Sequence, residues 1–100
     1  MTDGLQDDSS FRANDHEVAA KVVDGEAILI NLANGVYYSM DKVGGLAWSM
    51  IAGTTSITGI AEAVAAHYSI PVSKARTDAR NLAEELLAEG LIVLTGHGER

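Results

Sequence analysis

The chain has 100 residues, of which 47% are hydrophobic, and it carries a formal charge of −7 with no cysteine. These values predict one folded domain, argue against nucleic-acid and anionic-membrane partners, and exclude disulfides and thiolate metal sites. No apolar run approaches the roughly 20 residues that span a bilayer, and the acidic start lacks the features of a signal peptide. We therefore expect a cytoplasmic protein.

Residues 1–14 are polar and acidic, and Phe11 is their only aromatic side chain. This composition predicts a flexible N-terminal arm that can dock locally. We expect the folded domain to cover residues 15–95 and a solvated tail to cover residues 96–100.

Two pairs of turn residues, Asp24-Gly25 and Asn34-Gly35, separate three apolar runs. Such pairs favour two-residue hairpin loops of type I′, because both central positions need a positive φ. If both loops are two residues long, the facing pairs are Val23 with Glu26 and Ala33 with Val36.

The resulting meander places strand 26–32 between strands 17–23 and 36–40, so that strand 36–40 lies at an edge. An edge strand in a small protein must be blunted, covered or used to recruit another chain, and its two tyrosines do not blunt it. The middle strand has the apolar run 27–30, which indicates that both faces of the sheet can be covered. Two interpretations are possible, and in both of them helices cover one face. In the first, the other face is exposed and modestly apolar; in the second, a partner or a second copy of the chain covers it.

Three amphipathic helices follow the strands. Asp41 can cap the first, which ends at Gly53, and Ser56 can cap the second. The third begins near Pro71 and continues to Gly90, after which residues 91–94 form a short strand or an extended tail. In the first helix we expect Trp48 to be a core residue that fills the space left by Gly44, with a place in a binding groove as the alternative.

The apolar stripe of the third helix has two differently charged borders. Arg76 and Arg80 lie on one border, and Asp78, Glu85 and Glu89 lie on the other, with Asn81 just beyond. One interpretation is an ordinary solvated amphipathic helix. The other is that one border lines a groove beside the exposed strand, where the side chains of a docked peptide would meet it.

Two segments carry a family resemblance. Residues 28–53, ILINLANGVYYSMDKVGGLAWSMIAG, have an apolar strand, a Gly turn, an aromatic pair, a Met, and then a helix that bears Trp and ends at Gly. Residues 78–92, DARNLAEELLAEGLI, add a second matching run. Both segments resemble the PqqD-like family, and the resemblance covers about residues 17–93. It implies an α+β, winged-helix-like fold in which a three-stranded antiparallel sheet is followed by three helices.

The resemblance also implies a function, that of a RiPP recognition element. Such modules bind the leader of a ribosomally made precursor peptide, which adds as a strand to the third strand and rests against the third helix. The edge strand predicted from the turns agrees with this expectation. We select the acidic border of the helix, because Asp78 matches a family position and a basic leader suits a protein of this charge. The predicted peptide-binding residues are Val36, Tyr37, Tyr38, Ser39, Met40, Asp78, Asn81, Leu82 and Glu85.

The resemblance implies two partners, a precursor leader and a downstream modifying enzyme. Whether the chain also forms a homodimer is an open question. We favour a lasso-peptide pathway with a leader peptidase and a cyclase, and the alternative is a radical-SAM enzyme, as in pyrroloquinoline quinone assembly. A winged-helix DNA-binding regulator is a further alternative, but the third helix is acidic where a recognition helix is basic. We predict neither an enzyme nor a cofactor, because the sequence has no cysteine nucleophile, no Ser-His-acid constellation and no metal-ligand spacing.

Overall fold

The structure, a computed structural model, describes residues 5–95. Residues 1–4 and the predicted tail 96–100 lie outside the described residues. The elements are, in chain order, β1 (Phe11–Ala13), β2 (Val18–Val23), β3 (Glu26–Asn31), β4 (Tyr37–Met40), α1 (Lys42–Ile51), α2 (Ile57–Tyr68), α3 (Val72–Ala88) and β5 (Ile92–Leu94). The predicted fold class, an antiparallel three-stranded sheet followed by three helices, is confirmed.

The sheet is an antiparallel meander in the order β2-β3-β4. Its first hairpin is the predicted one, since Val23 pairs with Glu26 and the turn residues Asp24 and Gly25 have φ values of 54° and 84°. Positive φ at both positions is the requirement of a type I′ turn, which Asp and Gly meet at low cost.

The second hairpin differs from its prediction. Ile30 pairs with Tyr37, and the amide of Asn31 donates to the carbonyl of Val36 at 2.8 Å, so the loop covers residues 32–35 and Ala33 does not face Val36. The Asn31 side chain is the reason, because its Oδ1 accepts a hydrogen bond from the amide of Ala33 at 2.9 Å and begins the turn early. The register shift is two residues, which leaves every side chain on its predicted face.

The two faces of the sheet have different environments. Ala27, Leu29 and Asn31 of β3 point toward the helices and are buried, whereas Ile28 and Ile30 point outward and are exposed. Helices therefore cover one face, as both interpretations required. Coverage of the outer face by a partner or a second copy stays a prediction.

Helix α1 packs closely on the first hairpin. Asp41 caps the helix as predicted, accepting a hydrogen bond from the amide of Gly44 at 2.9 Å. A Cβ on Gly45 would overlap the carbonyl oxygen of Gly25, so only glycine permits this approach. Trp48 is a buried core residue, as predicted.

The partner of Gly44 was predicted wrongly. A Cβ on Gly44 would meet the side chain of Met40, at 2.9 Å from its Cβ. The space beside this glycine is therefore occupied by Met40, from the end of β4, and not by Trp48. Gly44 thus leaves room for the side chain of Met40 at the junction of β4 and α1.

Helices α2 and α3 follow the predicted stripes, and α2 packs along α3. Ser56 caps α2 by accepting from the amide of Gly59 at 3.1 Å, and Ser69 ends it with a left-handed φ of 57°. After α3, Gly90 adopts a φ of 76° and leads into β5. Among residues 5–95, no helix combines the length and the apolar character needed to cross a bilayer.

The segment before residue 15 does dock on the domain over its described part. Phe11 is fully buried, and β1 pairs with β5, with Arg12 opposite Val93. Leu5 is also buried, and its carbonyl oxygen accepts a hydrogen bond from Arg80 at 2.7 Å. The division of the chain near residue 14 stays a prediction.

Candidate functional site

The edge of β4 is open. Within residues 5–95, β4 pairs with β3 and with no strand on its other side. Because Asn31 and Val36 form a hydrogen-bonded pair, alternation along the antiparallel ladder makes Leu29 with Tyr38 the next one. The amides and carbonyls of Tyr37 and Ser39 therefore point away from β3, toward the open edge.

A groove lies between this edge strand and α3. Its volume is about 410 Å³. Leu82 and Leu86 of α3 and Met40 of β4 give it an apolar floor, and Glu85 and Glu89 add carboxylates along one side. A groove with an apolar floor and a few convergent polar groups beside an open strand edge has the physical features of a site for an extended peptide.

The structure brings most of the predicted site residues together. Five of them line the groove: Tyr38, Ser39, Met40, Leu82 and Glu85. Asp78 lines a second cavity that adjoins the groove at Leu82. The remaining three line neither cavity, since Val36 precedes β4, the Tyr37 side chain is on the outer face and is 68% exposed, and Asn81 is exposed on α3.

Glu89 is a groove residue that the predicted set omits. Its Oε1 accepts a hydrogen bond from the Tyr38 hydroxyl at 3.0 Å, which links β4 to the end of α3 across the groove. Desolvation, together with the hydrogen bond to Glu89, raises the pKa of Tyr38 above its ordinary value, so the hydroxyl remains a donor at neutral pH. The sequence did contain an indication that Glu89 lines the groove. Glu89 lies four residues after Glu85, and residues with this spacing share one side of a helix.

Two asparagine side chains fix the end of α3 against the strands. Asn31 Nδ2 donates to the carbonyl of Glu89 at 3.1 Å, and Asn14 Nδ2 donates to the carbonyl of Gly90 at 3.0 Å. Carbonyls at the end of a helix lack partners within the helix, so these bonds satisfy groups that would otherwise need water. The bond from Asn31 also ties β3 of the sheet to the end of α3 beside the groove.

The basic border of α3 is occupied by the N-terminal segment. Asp7 forms an ion pair with Arg80, and its other oxygen lies 3.6 Å from Arg76 Nε. The hydrogen bond to Asp7 raises the pKa of Arg80 further above its ordinary value. This arrangement leaves the acidic border beside β4, and contact of that border with a peptide stays a prediction.

The described part of the chain holds no group of three or more His, Asp or Glu side chains that could bind a metal ion. Among the described residues, no histidine lines the groove, and its polar side chains are those of Tyr38, Ser39, Asp41, Glu85 and Glu89. The chemistry that the groove offers is therefore hydrogen bonding, apolar contact and negative charge.

Comparisons with known proteins agree with this architecture. One solved structure, "TbiB1 in Complex with the TbiA(beta) Leader Peptide", is 28% identical, has a TM-score of 0.72, and covers 88% of this chain and 99% of its own. Another, "Lasso peptide synthetase B1 complexed with the leader peptide", is 20% identical with a TM-score of 0.70, over 83% of this chain and 96% of its own, and supports the fold alone. No curated protein matches the sequence. Residues 26–92 match the family described as "Coenzyme PQQ synthesis protein D (PqqD)", and the chain therefore belongs to the PqqD family.

Proposed function

We propose that the chain binds the leader of a ribosomally synthesised precursor peptide, which adds as a strand to β4 beside α3. The observation that carries this proposal is the open edge of β4 next to an apolar groove. The similarity to TbiB1, whose structure contains a leader peptide, supports it. Strand addition would give affinity through backbone hydrogen bonds, and the groove would give selectivity through alternate side chains.

Each side of the added strand would have its own role. Tyr37 and Ser39 present the free amides and carbonyls that would pair with the leader backbone. Leader side chains on the helix side would contact Leu82, Leu86 and Met40, and those on the other side would extend the outer face beside Tyr37. Selectivity would therefore reside in every second leader residue.

The charge of the groove indicates which kind of leader would bind. Glu85 and Glu89 line the groove, and Asp78 lies in the adjoining cavity, whereas Arg76 and Arg80 on the far border are paired with Asp7. A leader with Lys or Arg beside its apolar residues would complement this surface.

Glu85→Lys is expected to weaken binding of a basic leader by about three- to tenfold, because it replaces an attraction with a repulsion. The probe is the leader of the precursor encoded beside the gene of this chain, titrated by calorimetry. The loss should shrink as salt rises from 50 mM to 500 mM, since exposed charges are screened. Glu62→Lys on α2 is the matched control, because Glu62 is exposed and lines neither cavity. Equal losses in both variants would show that net charge, and not this border, controls affinity.

The chain would supply recognition and not chemistry, acting in the cytoplasm for a separate modifying enzyme. We infer that the modifying enzymes are a leader peptidase and a cyclase of a lasso-type pathway, and a radical-SAM enzyme is the alternative. The family description, which names coenzyme PQQ synthesis, favours the radical-SAM alternative.

Incubation of the purified chain with its precursor is therefore expected to leave the mass of the precursor unchanged while the two bind. Mass spectrometry of the mixture checks this, with the heat-denatured chain as the control. Cleavage or dehydration of the precursor by the chain alone would contradict the proposal.

The outer face of the sheet supports the delivery role. Ile28 and Ile30 are exposed there beside Tyr37. Because the leader would add at the edge, this apolar face would stay open for the modifying enzyme, and a second copy of the chain is the alternative occupant. A sedimentation measurement of the chain at 10 and 100 μM distinguishes the two, since a homodimer would double the mass without the enzyme.

A further inference from the structure

The sheet has a second open edge, at β2. In the described part of the chain, β2 pairs with β3 alone, just as β4 does. The two-residue turn makes Val23 and Glu26 a hydrogen-bonded pair, and bonded and non-bonded pairs then alternate along the hairpin. The amides of Ala20 and Val22 therefore point away from β3. They are placed to pair with the backbone of another strand.

The helix side of the sheet is covered at β3 but not at β2. Ala27 and Leu29 of β3 are fully buried, whereas Val22 of β2, on the same face, is 47% exposed. Helix α1 packs on β3 and β4 and leaves a cavity of about 200 Å³ beside β2. The walls of this cavity include Val22, Leu46 of α1 and Tyr68 at the end of α2. A strand added to β2 would place alternate side chains beside it.

Two unpaired cations flank this edge of an acidic protein. The chain has three lysines, and two of them are here, Lys21 on the outer face of β2 and Lys42 in the cavity wall. In the described part of the chain neither forms an ion pair, although Asp24 and Glu26 lie at the nearby turn. Carboxylates on a docked segment would therefore meet one cation on each side of the sheet.

A second copy of the chain is a poor occupant of this edge. Neither β2, with the sequence VAAKVV, nor β4, with YYSM, offers a carboxylate. Two copies paired through β2 would bring their Lys21 side chains close together, and like charges on facing strands are destabilising. Lysine on an edge strand commonly prevents such self-pairing. The charge instead favours an acidic segment of a different protein.

We propose that the open edge of β2 is a second strand-addition site, which takes an extended acidic segment of the modifying enzyme. The backbone of this segment would pair with Ala20 and Val22. Its carboxylates would meet Lys21 and Lys42, and one apolar side chain would enter the cavity. Because β2 and β4 are two strand spacings apart, about 10 Å, the enzyme and the leader would extend one sheet from opposite edges. This inference rests on the proposed function for its partner.

The probes are the modifying enzymes encoded beside the gene of this chain, each titrated by calorimetry onto the full chain, free and saturated with leader. One enzyme is expected to bind. Ala20→Pro should weaken this binding at least about tenfold, because proline removes a donor from the open edge, and it should leave leader affinity unchanged. Ser39→Pro should do the reverse, losing the leader and keeping the affinity of the free chain for the enzyme.

Lys42→Glu is expected to weaken enzyme binding by about three- to tenfold, and by less as salt rises, because it replaces an attraction with a repulsion. Lys74→Glu is the matched control, since Lys74 is exposed on α3 and lines none of the three cavities, and it should leave enzyme binding unchanged. Overlapping short peptides that tile the enzyme identify the docked segment, which is expected to be acidic and to require the open edge.

If Ala20→Pro is unfolded by circular dichroism, Lys42→Glu decides together with amide hydrogen exchange of the parent chain. Exchange of the Val22 amide should slow when the acidic peptide binds. Parental affinity of Lys42→Glu, or unchanged exchange at Val22 under saturation, would then overturn the site.

Four further results would overturn the β2 site. They are enzymes that bind neither the free nor the leader-bound chain, an enzyme that binds folded Ala20→Pro like the parent, a docked peptide without acidic residues, and a dimer of the free chain that Ala20→Pro dissociates. Each of these leaves the effect of Ser39→Pro on the leader intact, and parental leader affinity of Ser39→Pro is instead the failure of the proposed function. Loss of the leader in folded Ala20→Pro would show that the leader uses β2, and it would overturn both.

Discussion

Ser39→Pro is expected to weaken leader binding by at least about a hundredfold, whereas Ser39→Ala should change it by less than about threefold. The amide of Ser39 points to the open edge of β4, so proline removes a donor for the leader and puts its ring where the leader backbone would lie. A hundredfold loss is about 2.8 kcal/mol, which a lost backbone hydrogen bond and the steric conflict together can supply. Calorimetric titration with the leader of the neighbouring precursor measures both variants.

The position of the proline decides whether this result can be interpreted. The amide of Tyr38 is bonded to Leu29 of β3, so proline there would break the sheet itself. At Ser39 the amide has no partner in the sheet, and proline is tolerated on the open side of an edge strand. Unchanged thermal unfolding of Ser39→Pro is the control, and a folded variant with parental affinity would show that the leader does not use this strand.

Gly45→Ala is expected to lower the free energy of unfolding by about 3 kcal/mol, because its Cβ would overlap the carbonyl oxygen of Gly25 and lie 3.2 Å from the Cα of Glu26. Both obstacles are backbone atoms, so relief requires α1 to move away from the first hairpin. For a domain of this size the loss corresponds to a melting temperature lower by at least about 10 °C.

Gly53→Ala is the matched control for this measurement. A Cβ on Gly53 would meet the carbonyl oxygen of Met50 at an ordinary 3.5 Å, so the same substitution should change stability by less than about 1 kcal/mol. Thermal and urea unfolding of the two variants are compared. Equal melting temperatures would mean that α1 does not need its close approach to the hairpin.

Local patterns were sufficient for most of the fold. Asp24-Gly25 predicted the first hairpin because the turn chemistry is self-contained, and Asp41 and Ser56 predicted two helix starts for the same reason. The apolar stripe of α3 predicted its buried side, since Ala75, Ala79 and Leu86 are all buried.

The features that the sequence did not predict depend on distant partners. Asn31 shortens β3 because its side chain is tied both to Ala33 and to Glu89, which lies far along the chain. The docking of Phe11 depends on β5, and composition alone indicates only a polar arm.

The groove was only partly predicted, because it too depends on contacts between residues that are distant in the sequence. The charge pattern left two borders of α3 as candidates for facing the peptide. Only the contact of Arg80 with Asp7 shows that the basic border is already occupied. Gly44 was assigned to Trp48 by helical spacing, whereas its neighbour is Met40 from the preceding strand. Periodicity within a helix carries no information about the side chain of a residue that precedes the helix.

Amide hydrogen exchange along β4, measured by NMR with and without the leader peptide, tests the central claim most directly. In the free chain the amides of Tyr38 and Met40 are bonded to β3 and should be protected, whereas those of Tyr37 and Ser39 face the open edge and should exchange rapidly. If the leader adds as a strand, at least one of the two open amides becomes protected at saturation while Tyr38 and Met40 stay protected. Saturated binding that leaves both Tyr37 and Ser39 exchanging as fast as in the free chain would contradict strand addition to β4.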